Sequence, residues 1–301
     1  MRIGLIGDGA VAAIHARVLR RLGADVCVVY STDADQASRF AKSNGIACGT
    51  DRFSDAVENC DIAIVASPGE CHFAQAQVLI AAGRHCLVEL PVCSSAAEAH
   101  ALKWSAHEHN VNLECAHTSR YLPGMRQVTN LLSERALGDI RHVMGVRSIL
   151  PRNRTWIDDA LLHHAAHYVD LILFWFGELT PAACVAKPQM KLAQDVSLAG
   201  RLLHGAPMSV SVSYTSRLAE ARLTIVGSEH TVATDGFSYV ESDEQRLNWQ
   251  GDAQENYERS IESQDSAFLE ACHTRNSAVP WDDTIRLAEC LDRFRILETT
   301  S

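Results

Sequence analysis

The chain has 301 residues, 47% apolar and 21% charged, with 27 Lys and Arg against 37 Asp and Glu. That composition excludes a disordered or collagen-like chain. A formal charge of −10 argues against nucleic acid or an anionic membrane as a partner, and leaves an anionic small molecule admissible only through a local Arg cluster.

The length predicts two domains, placed at residues 1–118 and 119–301. The N-terminal MRIGLIGDGA enters a buried-strand pattern at once, without the basic and apolar regions of a signal peptide. The longest apolar stretch, 160–176, is interrupted by His163, His164, His167 and Asp170, so it does not read as a membrane span. Ten scattered cysteines without a CxxC pair are expected to be reduced core thiols of a cytoplasmic protein.

In chain order, strands are expected at 2–6, 25–30, 61–66, 85–88 and 112–116. Helices alternate with them at 11–22, 33–44, 73–82 and 96–110, three of them stopped by Gly23, Gly45 and Gly83. Strands alternating with helices predict a doubly wound parallel sheet, covered on both faces. After Tyr121 the pattern changes. A helix at 124–133, a strand at 140–150 and an apolar helix at 160–176 precede strands at 197–203, 208–216, 222–226, 231–234 and 237–241, and a closing helix spans 280–298. In 208–216, Val210, Val212 and Tyr214 alternate with Ser209, Ser211 and Ser213. That period of two predicts an antiparallel sheet with one face packed on helices.

Gly7-x-Gly9-x-x-Ala12 lies between the first strand and the first helix. Its glycines permit a tight turn and close approach of a pyrophosphate to the helix N-terminus. Gly7, Asp8, Gly9, Ala10 and Val11 are therefore the candidate dinucleotide residues. About 20 residues on, where NAD binders carry an acidic residue, stand Ser31 and Thr32. With no carboxylate there to repel a 2′-phosphate, NADP is the expected cofactor and NAD the alternative. Capping of the next helix is the other role open to Ser31 and Thr32.

The run Gly7-x-Gly9…His15, Ser67-Pro68-x-x-x-His72, Glu89-x-Pro91, Arg120-Tyr121-x-Pro123 and Leu137-Gly138-Asp139-Ile140 resembles the glucose–fructose oxidoreductase, inositol dehydrogenase and MocA-like family, Gfo/Idh/MocA. The resemblance spans essentially the whole chain. It implies a Rossmann domain followed by an α/β domain with a large, mostly antiparallel open sheet, and a nicotinamide-dependent dehydrogenase acting on a CH–OH group, with Ser67 and Pro68 at the cofactor and His72 and Glu89 bordering the nicotinamide ribose. It also implies a homodimer through the serine-bearing sheet face. Family members usually carry Glu-Lys-Pro, whose Lys handles the substrate proton. This chain has Glu89-Leu90-Pro91, and leucine transfers no proton.

His163, His167 and Asp170 fall at i, i+4 and i+7 on one helix face, with His164 near its edge. Imidazole titrates near neutrality and can accept a hydroxyl proton, and a carboxylate beside it would raise its basicity. Other roles open to these rings are core packing for His164, substrate positioning, or zinc, for which no further ligand is evident; no metal is expected.

Within the family, Val88-Glu89-Leu90-Pro91, His117-Thr118-Ser119-Arg120 and the run from Arg152, Arg154, Trp156 and Asp158 to the His-rich helix resemble the subgroup that dehydrogenates 4-carboxy-2-hydroxymuconate-6-semialdehyde. That resemblance implies oxidation of a carboxylated cyclic hemiacetal to its lactone, 2-pyrone-4,6-dicarboxylate. Arg120, Arg152 and Arg154 would hold carboxylates, Trp156 would wall the ring, and Tyr121 would border the substrate. A sugar, sugar-acid or other lactol dehydrogenase is the first alternative, and a non-catalytic nucleotide-binding regulator the second.

Overall fold

Short apolar strands separated by amphipathic helices build the first sheet. In order they are β1 (Arg2–Ile6), α1 (Ala10–Arg21), β2 (Asp25–Tyr30), α2 (Ala34–Asn44), β3 (Cys48–Thr50), α3 (Phe53–Asn59), β4 (Ile62–Val65), α4 (Gly69–Ala81), β5 (His85–Val88), α5 (Ala96–Glu108) and β6 (Leu113–Cys115). The computed structural model describes residues 1–151, 159–188, 192–277 and 279–300. The six strands run parallel in the order β3-β2-β1-β4-β5-β6, a doubly wound arrangement whose ligand crevice lies beyond the carboxyl ends of the strands. All four residues of β4 are buried, as a central strand covered on both faces requires.

Local chemistry sets the helix ends. Asp33, rather than Ser31 or Thr32, caps α2, its side chain accepting from the Gln36 amide at 2.7 Å. Gly45 closes that helix in the left-handed region at φ 69°. Ser95 caps α5, and Glu98 accepts in return from the Ser94 amide at 2.7 Å, a variant of the reciprocal capping box.

Past a 3-10 turn (Thr118–Tyr121), the chain forms α6 (Pro123–Ser133), β7 (Ile140–Ser148), a π-helical turn (Leu161–Ala165) and α7 (Ala166–Phe176). Then follow β8 (Leu179–Lys187), β9 (Asp195–Leu202), β10 (Pro207–Ser213), β11 (Glu220–Gly227), β12 (Thr231–Thr234), β13 (Tyr239–Ser242) and β14 (Arg246–Asn248), and two long helices, α8 (Ala253–Thr274) and α9 (Trp281–Thr300). The second sheet has eight strands in the order β14-β13-β12-β11-β7-β10-β9-β8. Every pair is antiparallel except β7 with β10. In β10 the expected alternation holds: Met208, Val210 and Val212 are buried and the serines between them are half-buried.

Two units emerge, Met1–His117 with Ile261–Ile285, and Thr118–Ser260 with Arg286–Ser301. The first unit thus takes in a segment far along the chain. Phe268 and Cys272 of α8 pack into the core formed by Leu5, Leu19, Ile62, Ile64 and Leu87. Phe268 is fully buried, which stabilises this unit by about 1.5–3 kcal/mol. The Trp281 indole adds a hydrogen bond to the Ala99 carbonyl at 3.0 Å. Among the described residues no helix is long and apolar enough to cross a membrane. Burial pushes the Cys60 thiol up to about 11 and that of Cys272 to about 12, which makes both poor nucleophiles at neutral pH.

Candidate active site

The turn after β1 is held by close backbone contact. Gly7 has φ 119°, and a Cβ on it would lie 2.6 Å from the Ala66 carbonyl oxygen; only glycine fits there. Gly9 precedes α1, and a Cβ on it would meet nothing within 4 Å. Among the described residues no side chain caps this helix, and its first turn carries no acid. The amides of Ala10 and Val11 lack intrahelical acceptors by position. Open space over uncapped amides fits a pyrophosphate. Gly7, Gly9, Ala10 and Val11 would hold it.

Of the other candidate cofactor residues, two are committed within the protein. His72 is 2% exposed. Its Nδ1 lies 2.8 Å from the Pro91 carbonyl oxygen and its Nε2 2.7 Å from that of Ser67. Burial holds its pKa below the usual imidazole range. The ring joins the end of β4 to the segment after β5, a structural role rather than the contact to the nicotinamide ribose expected of it. The Pro91 ring fills the space beside Gly69, where a Cβ would approach it to 2.8 Å, so Ser67 and Pro68 stand on a packed turn.

Glu89 is bound to His15. The His15 ring is fully buried, with Nε2 3.0 Å from Glu89 Oε1 and Nδ1 2.8 Å from Asp265 Oδ2. Burial draws the ring's pKa down, but Asp265 and Glu89 together outweigh it and carry the pKa up to about 10. Burial also pushes the Asp265 carboxyl up, so ring and acid compete for one proton. With two carboxylates facing one ring, the proton rests on His15.

In the second unit three imidazoles come together. A π-helical turn uses more residues per revolution than an α-helix, so it rotates less from one residue to the next. Here the Ala165 amide donates to the Ala160 carbonyl at 2.9 Å. His163 and His164 consequently stack, with centroids 4.2 Å apart and planes at 15°. His167 lies 5.8 Å from the first ring and 5.9 Å from the second. His163 Nδ1 is 3.3 Å from the Tyr214 hydroxyl, and His167 Nδ1 is 3.2 Å from Ser119 Oγ. One ring nitrogen from each histidine lies within 4.8 Å of the other two, a spacing that could hold a metal ion.

Asp170, expected as a carboxylate for these rings, engages a cation. It takes Arg120 in a bidentate pair, with Nε 3.0 Å from Oδ2 and Nη2 2.6 Å from Oδ1. Their side chains are 8% and 2% exposed, and the guanidinium lies 4.5 Å from the Phe174 ring centre. Arg120, expected to meet a substrate carboxylate, spends this edge on an internal one. Arg120→Ala is expected to destabilise the protein by about 3–5 kcal/mol, because the buried Asp170 carboxylate loses its bidentate cation. Urea denaturation measures this, and a loss under about 1 kcal/mol would show the pair to be dispensable.

Tyr121 is half-buried and closes the 3-10 turn. Arg152, Arg154, Trp156 and Asp158 lie outside the described residues.

A model of an oxidoreductase family with an NAD-binding Rossmann fold matches residues 1–117. The 4-carboxy-2-hydroxymuconate-6-semialdehyde dehydrogenase of Sphingobium sp. is 30% identical over 230 residues, 72% of this chain and 73% of that protein. The chain belongs to the Gfo/Idh/MocA oxidoreductase family.

Solved structures agree on the fold. Levoglucosan dehydrogenase in complex with NADH and levoglucosan superposes with a TM-score of 0.88 at 17% identity, covering 100% of this chain and 97% of that one. KijD10, a 3-ketoreductase from Actinomadura kijaniata in complex with NADP, gives 0.85 at 20% identity, covering 99% and 97%. As a member of this family the protein is a nicotinamide-dependent dehydrogenase.

Leu90, which stands where the resemblance implies a Lys, is buried at 8% exposure. Sequence reasoning assigned no role to Asp265, Ser119 or Tyr214. For Asp265 a signal existed: Ile261, Asp265, Phe268 and Cys272 share one helical face, and an acid on an apolar stripe marks a buried charge seeking a partner.

Proposed function

We propose that the protein oxidises a carboxylated cyclic hemiacetal to its lactone, using a histidine base where the family Lys has become Leu90. The observation that carries this reading is the convergence of His163, His164 and His167, two of them hydrogen-bonded through Nδ1. When bound, the oxidised nicotinamide supplies the hydride acceptor. If Nδ1–H of His163 donates to the Tyr214 hydroxyl oxygen, Nε2 is left unprotonated and basic. Donation by Nδ1–H of His167 to Ser119 Oγ does the same for the second ring. Either ring then takes the proton of the carbinol hydroxyl as the carbinol C–H leaves as hydride and the C=O bond forms.

The relative from Sphingobium supports 4-carboxy-2-hydroxymuconate-6-semialdehyde as the open form of the substrate; oxidation of its cyclic hemiacetal would give the proposed product, 2-pyrone-4,6-dicarboxylate. Arg152, Arg154 and Trp156 are the proposed carboxylate and ring contacts, in a cytoplasmic homodimer paired through the serine-bearing face of the second sheet. The engagement of Arg120 by Asp170 favours a second reading, a sugar or other lactol dehydrogenase with fewer cations reading charge.

A substrate panel followed by nicotinamide absorbance separates the two. The dicarboxylated hemiacetal is expected to exceed neutral lactols and sugars in kcat/KM by about 100-fold, the worth of one or two charge-assisted hydrogen bonds. Equal or faster turnover of a neutral sugar would overturn the carboxylated substrate in favour of the second reading.

A further inference from the structure

We propose that Asp8, inside the glycine turn, supplies the ribose-reading carboxylate missing after β2, so that the protein selects NAD(H) over NADP(H). The inference rests on dinucleotide binding at this turn and concerns only which dinucleotide is taken.

In sequence, Ser31 and Thr32 bring no negative charge to the end of β2, which argued for NADP. The folded chain alters that balance. The turn fixed by Gly7 carries Asp8 to the end of β2, where its Oδ2 accepts from Ser31 Oγ at 2.9 Å. Ser31 is itself 4% exposed and donates its amide to the Thr50 carbonyl at 3.1 Å. The carboxylate is therefore anchored on a buried, hydrogen-bonded residue. A carboxylate accepts several hydrogen bonds, so the one from Ser31 leaves capacity for a ribose hydroxyl.

Asp8 also lines a pocket of about 360 Å³, with Gly9, Ala10, Gln36, Arg39 and Phe40. The pocket opens beside the N-terminus of α1, and a ribose diol joined to a pyrophosphate there would meet the Asp8 side of it. A 2′-phosphate would instead place a near-dianion against a fixed carboxylate. Arg39 lines the same pocket but is exposed on α2, and among the described residues no hydrogen bond holds it as Ser31 holds Asp8. The fixed negative group decides the preference.

The test is direct binding of NADH and NADPH to the full chain, followed by nucleotide fluorescence, which needs no turnover. NADH is expected to bind at least about tenfold more tightly than NADPH. Asp8→Asn keeps the shape and a partner for Ser31 but removes the charge, and should narrow the ratio to within about threefold. Asp8→Ser should do the same if the Asn variant folds poorly, and circular dichroism reports the fold of each.

Equal or tighter NADPH binding by the native protein would overturn the proposal. So would a ratio that Asp8→Asn and Asp8→Ser both leave intact. Binding of neither nucleotide would overturn dinucleotide binding at this turn, and the proposal with it.

Discussion

Replacing His15 with alanine is expected to destabilise the protein by about 3–5 kcal/mol, the usual loss when one member of a buried charge network is removed. The ring bridges Asp265, fully buried, and Glu89, 13% exposed. Without it two acids face each other in the core, and one must take up a proton. His15→Ala with Asp265→Asn removes a charge of each sign and should recover part of the loss.

The pH dependence carries the same signature. The pKa of His15 is raised from 6.5 to about 10 on folding, so between those values the folded state binds more protons than the unfolded one. The stabilisation is therefore fully present below about pH 6.5 and is lost as pH rises toward 10. Urea midpoints at about pH 6.5, 8 and 9.5 should fall more steeply for the native chain than for His15→Ala. Parallel curves would mean that the ring does not carry the bridging charge. His72 acts in the opposite sense: its pKa is lowered on folding, so its contribution is lost as pH falls through the ordinary imidazole range.

His163→Ala and His167→Ala are the substitutions with the largest expected effect on turnover. Removal of whichever ring serves as base should lower kcat by about 10²–10⁴. The double variant should be little worse than the more damaging single one, since groups acting as a unit are not additive. Loss of a general base also removes the acid limb of the pH–rate profile, which loss of mere positioning would leave. His164 is buried and stacked on His163. His164→Phe preserves a flat ring there and should cost about tenfold at most if His164 only orients its neighbour. Native kcat in both His163→Ala and His167→Ala would remove the histidine base from the mechanism.

The dinucleotide turn was readable because strand, glycines and helix follow one another within about a dozen residues, each in its own period. The alternation in β10 was readable for the same reason. Elements without a period were not. β14 is exposed at all three positions, and β8 is irregular about Pro181, where its register with β9 shifts. α8 escaped notice because most of its 22 residues are polar and its apolar stripe is interrupted by Asp265. The pairings that change the chemistry, Asp8 with Ser31 and Asp170 with Arg120, join residues 23 and 50 positions apart. Helical spacing set Asp170 with the histidines, yet spacing on one helix says nothing about a cation arriving from another segment.

The return of residues 261–285 to the first unit has a consequence for biosynthesis. When β6 leaves the ribosome, the nascent nucleotide-binding sheet still lacks Phe268 from its core and Asp265 opposite His15. An imidazole awaiting its counter-ion cannot be sealed away from water cheaply. That half of the molecule therefore matures only after translation has passed the second sheet, and a ribosome stalled near residue 260 would release a chain whose first-made domain is unfinished.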